Sequence, residues 1–460
     1  MDKIRCFFGF AGYDAQELAL KRLREDYPNL QFECIGWSEI DKYAIKGHDA
    51  LHPEDVGLNF GDICEINWVD VPDFDLFTYS FPCTDISNAG KQMGLSKDSG
   101  TRSSLLWECE KAIEIKKPKY LLMENVAALL SDKFKSQLKK WCDILESYGY
   151  TSFYQILNAK NYGCPQNRAR VFVVSVLDCE NPFYFPKPFK LEKRLVDLLE
   201  NKVDERLYLS QHSIDMLVNS TIDWKNNDNF LKEPHIAAVR GRSEGDWYET
   251  EHRQKIEICS SGVSNTLSSV EKDNVIVEPV VLGWVRDEKG ETVSRPEVDV
   301  ANCVTSGKRD NTQNYIVEQC FLNGDKDGCA STLTTGHDRA RNITEPKGGH
   351  KQMGVLEIMH PMTDMEMDDI MLQLRQMYPK RGILVYKGQP CFVRRLSTRE
   401  LYRLMDVDDK DIDTLLSTDI PKTQHAKMAG NSIVVNVLYH LFKSLFIDTE
   451  PNEGQQLKLF

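Results

Sequence analysis

Phe74-Asp75-Leu76-Phe77-Thr78-Tyr79-Ser80-Phe81-Pro82-Cys83 is the stretch on which the reading of this chain turns. Phe74 to Tyr79 is a short, mostly apolar run, the pattern of a buried strand. Pro82 fixes φ and removes a backbone donor, so the turn after the strand is stiff. Cys83 then stands just past the strand, at the carboxyl edge of a sheet, where open α/β folds place their chemistry. A lone cysteine is most often a small buried hydrophobe, and position alone favours that reading. A rigidly aimed thiol at a sheet edge is also a candidate nucleophile. The rest of the chain reverses the preference.

On both sides of this stretch, strand and helix patterns alternate. Ile4 to Phe10 reads as a strand, Ala15 to Arg24 as a helix through Leu18, Leu20 and Leu23, and Phe32 to Trp37 as a second strand. A helical stretch starts at Asp41, and another covers Ser103 to Ile115. Tyr120 to Met123 is a short strand, and Phe134 to Tyr148 an amphipathic helix. Ser152 to Leu157 and Val171 to Val176 complete the series as strands. Such alternation predicts an α/β fold with a doubly wound, mostly parallel sheet. Leu396 to Met405 reads as a loop entering a helix, and Ser432 to Phe446 as a markedly apolar helix that needs burial.

Between these parts the pattern changes. Phe183 to Pro188 has the proline spacing of a connector. Asn201 to Gly354 is rich in Asn, Asp, Ser, Thr and Gly, and three similar units recur in it. Ser264-Asn265-Thr266-Leu267-Ser268-Ser269 leads to Asn274–Glu278, Ala301–Ser306 leads to Asn314–Glu318, and Ala330–Thr335 leads to Asn342–Glu345. Their spacing is too uneven for a solenoid and predicts hairpins in a smaller β-rich domain. The expected division is residues 1–180 with 395–460 against 181–394. The methionines of the helical stretch Asp364 to Tyr378 read as core packing.

With 460 residues the chain can bury two cores. Its thirteen cysteines are odd in number and form no C-x-x-C pair, which argues against a thiolate zinc site and for a reducing cytoplasm. No apolar run reaches membrane-spanning length, and the N-terminal residues lack a signal-peptide pattern. A monomer is expected. The net charge of −13 weighs against a nucleic-acid partner but does not exclude one, because binding needs only a local basic face.

Other residues converge on the edge that carries Cys83. Glu124 and Asn125 follow the strand ending at Met123. A desolvated carboxyl there can act as a general acid, though a solvated loop acid is the plainer alternative. Arg168 and Arg170, spaced i, i+2 before another strand, point to one side of an extended segment and can stabilise developing negative charge. Phe10-Ala11-Gly12 opens a tight turn into a helix, where backbone can approach a ligand. Glu39 ends the second strand, where an acid commonly pairs with ribose hydroxyls, and Gly61-Asp62-Ile63 offers a second acid at a strand-end loop.

In this order and spacing, the residues resemble the cytosine-C5 DNA methyltransferases. Phe10-Ala11-Gly12 resembles that family's first motif, and Glu39 and Asp62 match its ribose- and adenine-binding acids. Pro82-Cys83 with Asn88-Ala89-Gly90-Lys91 resembles the catalytic motif, Glu124-Asn125-Val126 the E-N-V motif, and Gln166-x-Arg168-x-Arg170 the Q-x-R-x-R motif. Arg395 to Glu400 and Ala429-Gly430-Asn431-Ser432 resemble the last two. The resemblance covers residues 1–180 and 390–445. It departs at Asp14, where the family usually has a second glycine, and at Asp406-Val407.

The resemblance implies S-adenosylmethionine as cofactor, held by Phe10, Gly12, Glu39, Asp62, Ile63, Asn431 and Ser432, with no metal. It implies Cys83 as nucleophile at cytosine C6, Glu124 as the acid at N3, Arg170 at the cytosine O2 edge, and Arg168 in support of Glu124 or the cofactor side. The target base must leave the duplex to be reached, and the glycine-rich loop Thr84–Leu105 is expected to close over it. Double-stranded DNA is the implied partner, with a companion restriction enzyme in a bacterial or phage setting. Sequence reading falls to the repeat-bearing segment, whose Lys308, Arg309, Arg339, Arg341, Lys347 and Lys351 can contact phosphates or guanine edges, or stand as solvated turn charge. The alternatives are an RNA methyltransferase of the same superfamily and a catalytically weak DNA-binding paralogue. A nicotinamide dehydrogenase shares the fold class but has no use for Cys83, Glu124 and Arg170 together.

Overall fold

The computed structural model describes residues 3–82, 105–218, 235–244, 251–258, 263–270, 273–279, 282–286, 292–296, 364–386 and 389–448. Its first elements follow the predicted alternation: β1 (Ile4–Gly9), α1 (Ala15–Asp26), β2 (Phe32–Ser38), α2 (Lys42–Leu51), β3 (Leu76–Tyr79), α3 (Leu106–Lys116), β4 (Tyr120–Val126), α4 (Asp132–Ser147), β5 (Tyr150–Asn158), β6 (Gln166–Asn167) and β7 (Ala169–Leu177). Then come α5 (Gln211–Val218), β8 (His235–Glu244), β9 (Glu251–Ile258), β10 (Ser264–Asn265), β11 (Asn274–Pro279), β12 (Leu282–Arg286), β13 (Thr292–Pro296), α6 (Asp364–Met377), β14 (Ile383–Tyr386) and β15 (Gln389–Arg395). The last described elements are α7 (Thr398–Arg403), α8 (Asp409–Leu416), α9 (Lys422–Asn431) and α10 (Val435–Phe446).

The chain divides into two compact units. The first holds residues 1–200, 261–271 and 397–460, and the second holds 201–260 and 272–396. The first therefore reaches further than the expected boundary near residue 180, and it also takes in an excursion from the middle of the chain.

In the first unit, six strands lie in the order β2-β1-β3-β4-β7-β5. The pairs β1–β2, β1–β3 and β3–β4 are parallel, while β7 runs antiparallel to both β4 and β5. This makes the α/β sheet mostly parallel, as the alternation predicts. The reversed strand matters for the site, because β7 begins at the edge where β3 and β4 end. On one face Phe7, Trp68, Phe74 and Phe77 pack edge-on and tilted, with ring centroids 5.1 to 6.5 Å apart. That geometry suits the aromatic quadrupoles. Helix α10 packs against α1, and its Phe446 meets Phe32 and Tyr120 edge-on. The helix predicted from Ser432 starts three residues later, at Val435. Ser432 itself is extended, with φ −76° and ψ 169°, and its carbonyl is taken by a side chain of the site.

The second unit contains a five-stranded antiparallel sheet, β14-β15-β11-β8-β9, and a separate ribbon, β12-β13. Leu374 of α6, Ile383 and Phe392 form a small core with Met371, Tyr208 and Tyr378 against it. The Arg381 guanidinium lies 3.8 Å from the Tyr208 ring centroid and 4.4 Å from that of Tyr378, a double cation–π contact. Arg394 is buried and paired to Glu278 at 2.5 Å.

The first of the three predicted hairpins does not form. Ser264–Asn265 pairs in parallel with Gln166–Asn167 inside the first unit, whereas Asn274–Pro279 is a central strand of the second unit's sheet. A Thr-rich strand signal carries no information about which sheet it joins. The other two repeat units lie outside the described residues.

Candidate functional site

Two strand-end loops of the first unit and the segment 59–63 are tied into one cup. The sequence predicts Gly61-Asp62-Ile63 at a strand end, but it follows no strand, only a single bridge from Asn59 to Trp37 between α2 and β3. After β1, Phe10 and Gly12 both take positive φ, 56° and 64°. Gly12 N–H donates to Glu39 Oε2 at 3.1 Å, while Glu39 Oε1 accepts from the N–H groups of Ile40 and Asp41, each at 2.8 Å. Asn59 joins this loop to the next. Its Oδ1 accepts from Glu39 N–H and Gly61 N–H, and its Nδ2 donates to the Glu39 carbonyl. Ser38 Oγ donates to the Gly61 carbonyl at 2.7 Å. Asp62 Oδ1 accepts from Cys64 N–H, and Ile63 turns into the apolar core. Asn59 and Ser38 escape a sequence reading because their work is done on backbone atoms, which no motif spacing encodes.

This cup fits an adenosine-bearing cofactor. A Cβ built on Gly12 or on Gly61 would meet nothing within 4 Å, so both loops border open space. Glu39 is half-buried and keeps about one acceptor site beyond the three it uses, since a carboxylate can accept about four hydrogen bonds. Asp14, the departure from the family pattern, takes φ 61° as N-cap of α1, and its carboxylate accepts from Glu17 N–H. Asp is one of the few residues besides glycine that tolerates this conformation, so the turn survives the replacement.

At the neighbouring strand ends, Glu124 and Arg170 meet. Glu124 opposes Phe172 in the β4–β7 ladder and Arg170 opposes Val126, which puts both side chains on one face as diagonal neighbours. Arg170 Nε lies 3.2 Å from Glu124 Oε1, with side chains 17% and 11% exposed. Burial raises the Glu124 pKa above the ordinary carboxylate value. Arg170 and Arg168 act in the opposite direction without cancelling the shift. Asn125, also buried, donates from Nδ2 to the Phe81 carbonyl at 3.1 Å. It thereby anchors the chain two residues before Cys83. Cys83 lies outside the described residues, as do most of the loop Thr84–Leu105 and Arg309, Arg339 and Arg341.

Arg168 turns the other way. Its Nη2 donates to the carbonyls of Gly430 and Ser432 at 3.0 and 2.6 Å. These carbonyls close α9, so Arg168 fastens the motif of the last third of the chain to the strand bearing Arg170. Asn431 is exposed and Ser432 half-buried. Gln166 Nε2 donates to the Leu404 carbonyl at 2.8 Å, a second tie of the same kind. The excursion 261–271 is the part least visible from sequence. Ser264 N–H donates to the Pro165 carbonyl, Thr266 Oγ1 donates to the Asn167 carbonyl at 2.7 Å, and Leu267 is buried.

Gly430 shows why this contact is close. A Cβ there would lie 2.6 Å from Ser269 N and Cα and 2.7 Å from the Ser268 carbonyl, all backbone atoms. Gly430→Ala must push the excursion away, and overpacking of this kind costs about 1–3 kcal/mol. Denaturant titration of the variant should show a loss of that size. Unchanged stability would mean that the excursion yields without cost.

The family model for C-5 cytosine-specific DNA methylases matches residues 9–446. The chain is 40% identical over 262 residues to the type II methyltransferase M2.ScrFI of Lactococcus lactis subsp. cremoris, covering 46% of this chain and 71% of that protein. It is 26% identical to the orphan methyltransferase M.Rho11sI of Bacillus phage rho11s over 99% of this chain and 100% of the other. Its fold is similar to that of the Entamoeba histolytica methyltransferase EhMeth, with a TM-score of 0.54 at 14% identity, covering 98% of this chain and 100% of that one. With the ordered motifs and the strand-edge arrangement of Glu124, Arg168 and Arg170, the match along nearly the whole length identifies the chain as a member of the C-5 cytosine-specific DNA methylases, a DNA cytosine-5-methyltransferase.

Proposed function

We propose that this chain uses S-adenosylmethionine to methylate C5 of a specific cytosine in duplex DNA, through a covalent bond between Cys83 and C6 of a base turned out of the helix. The observation that carries the reading is the largely buried Glu124–Arg170 pair, whose Glu124 lies on the strand next to the one that leads into Cys83 and whose Arg170 lies on the strand beyond it. When bound, the cofactor supplies an electrophilic methyl group on a sulfonium centre. Gly12, Glu39 and Asp62 would hold its adenosine part, with Phe10, Ile63, Asn431 and Ser432 around it.

Cytosine C5 is too poor a nucleophile to accept a methyl group unaided. Addition of the Cys83 thiolate at C6 makes the ring an enamine with electron density at C5. Glu124, whose pKa burial raises above the ordinary carboxylate value, gives N3 a proton as the thiolate adds. Arg170 faces the O2 edge and holds Glu124 in place. Arg168 acts as a positioning residue, through the carbonyls of Gly430 and Ser432. A base then takes the C5 proton, Cys83 leaves as the thiolate, and N3 returns its proton to Glu124.

Among the described residues no helix is long and apolar enough to cross a membrane. The relatives bear both type II and orphan names, so we read a companion restriction enzyme as optional to the chemistry. Target reading is assigned to the second unit, including Arg309, Arg339 and Arg341. The test is transfer of tritium from methyl-labelled S-adenosylmethionine to duplex DNA and, separately, to tRNA. Label in DNA at 5-methylcytosine is expected. Label in tRNA alone would make the chain an RNA enzyme, and label in neither would make it a binding paralogue.

A further inference from the structure

Behind the cup, where α1 meets α2, lies a set of buried polar groups that methyl transfer does not use. Asp14 and His48 are fully buried, and Glu17 is 8% exposed. One oxygen of each carboxylate is accounted for. Asp14 Oδ1 accepts from Glu17 N–H, and Glu17 Oε1 lies 3.0 Å from Lys21 Nζ and 3.1 Å from His52 Nδ1. Asp14 Oδ2 and both ring nitrogens of His48 have no hydrogen-bond partner. Glu17 is also hydrogen-bonded to the carboxyl of Asp55, itself buried and raised by burial to a pKa of about 8, so a metal ion bound here would have to displace that shared proton. One donor atom from each of Asp14, Glu17 and His48 lies within 4.8 Å of the other two, and His48 Nε2 is 3.8 Å from Asp14 Oδ2.

Buried polar groups are ordinarily hydrogen-bonded, and buried charges are paired or bind metal. A solvated acidic cluster would need no explanation. This one is shielded from water, and Lys21 serves only one of its sides. His48 is the most telling member. Its ring is stacked at 3.7 Å on Trp37, which fixes its plane. Its Nδ1 faces Asp49 Oδ1 at 3.9 Å, the side from which a metal-bound imidazole commonly donates to a carboxylate. His52 differs, because its Nε2 already lies 3.2 Å from the Tyr13 carbonyl and its Nδ1 2.6 Å from Lys21 Nζ.

We infer that Asp14, Glu17 and His48 form a structural binding site for a divalent transition-metal ion of the zinc type. One imidazole nitrogen and two carboxylate oxygens suit zinc or its borderline neighbours better than magnesium, which prefers an all-oxygen, largely hydrated octahedron. Donors around one tetrahedral zinc ion stand roughly 3.4 Å apart, so donors within 4.8 Å of one another need to close by up to about 1.4 Å. Asp14 caps α1 directly after the Phe10–Gly12 turn, and His48 belongs to α2, which starts after Glu39. The ion would therefore rivet together the two helices that carry the cup's first two loops. The site is built from the protein's own donors and is independent of what the enzyme methylates.

The test uses the full chain stripped by a chelator and titrated with Co²⁺ and Zn²⁺. Expected is one Co²⁺ per chain with visible d–d bands, no sulfur charge-transfer band, displacement by Zn²⁺, and a rise in Tm with either ion. Asp14→Asn keeps the cap acceptor and a residue tolerant of positive φ, so it should fold like the parent. It should bind Co²⁺ at least about tenfold more weakly, the lower bound seen even for outer-shell changes. His48→Gln should do the same, and Glu17→Gln substitutes if His48→Gln fails to fold. Three results would overturn the site: no stoichiometric binding, a thiolate charge-transfer band, or equal affinity in folded Asp14→Asn and parent. In those cases protons alone balance the buried carboxylates.

Discussion

Cys83→Ser is expected to abolish methyl transfer to DNA while leaving folding and cofactor binding unchanged. Loss of the nucleophile from a catalytic group that acts as a unit typically costs roughly four to six orders of magnitude. A serine hydroxyl lacks the ready ionisation that makes a thiolate reactive near neutral pH. The same role predicts that duplex DNA with 5-fluorocytosine at the target position traps the native enzyme, because fluorine cannot leave as the C5 proton does. A denaturation-resistant band shift with native protein, absent in Cys83→Ser, is the checking measurement. Ordinary turnover by the serine variant would remove Cys83 from the chemistry.

Glu124→Gln has the second largest expected effect, a fall in rate of roughly 10²–10⁴-fold, the usual weight of general acid catalysis. Binding of S-adenosylmethionine, followed by calorimetry, should hardly change, since Glu124 faces Arg170 and not the Gly12–Glu39 cup. The pH profile gives a separate check. The protonated form is the active one, and burial raises its pKa above the ordinary value near 4.3. Activity due to Glu124 should therefore be present at lower pH and decline as pH rises through that raised value, and the glutamine variant should lose this limb. Linkage gives stability the same sign. The Glu124 contribution is fully present below the unfolded pKa and is lost as pH rises through the folded one. A parallel loss of cofactor affinity in Glu124→Gln would instead assign the residue to the cofactor pocket.

Much of this could be read from sequence, for reasons that differ between residues. Apolar runs such as Tyr120–Met123 mark strands because a fully covered parallel sheet buries both faces, and the strand indeed spans Tyr120–Val126. Strand direction is another matter. A strand pattern looks the same whichever way the strand runs, so nothing in Val171–Val176 announces that β7 is reversed. Yet that reversal brings Arg170 to Glu124. The placement of Ser264–Leu267 in the first unit was illegible for a similar reason, since its partners are the backbone of Pro165 and Asn167. Asp14 reads in sequence as a missing glycine and in the structure as a cap in the left-handed region. The buried set around His48 has no linear signature, because α1 and α2 each supply part of it.

Arg168 finds its partners 262 and 264 residues further along the chain. A ribosome adding about 5–20 residues per second needs roughly 13–52 s to cover the first of these gaps. During that interval the emerging sheet has neither the carbonyls that fasten Arg168 nor α10 to cover α1. Long-range closure of this kind slows folding and exposes apolar surface meanwhile. The nascent chain is thus a client for chaperones until the segment through Phe446 has been made. Conversely, a chain interrupted by a stop codon between Arg170 and Gly430 carries every residue of the Cys83–Arg170 centre and still lacks the clasp that assembles it, so such premature termination yields an inert product and not an enzyme with loosened control.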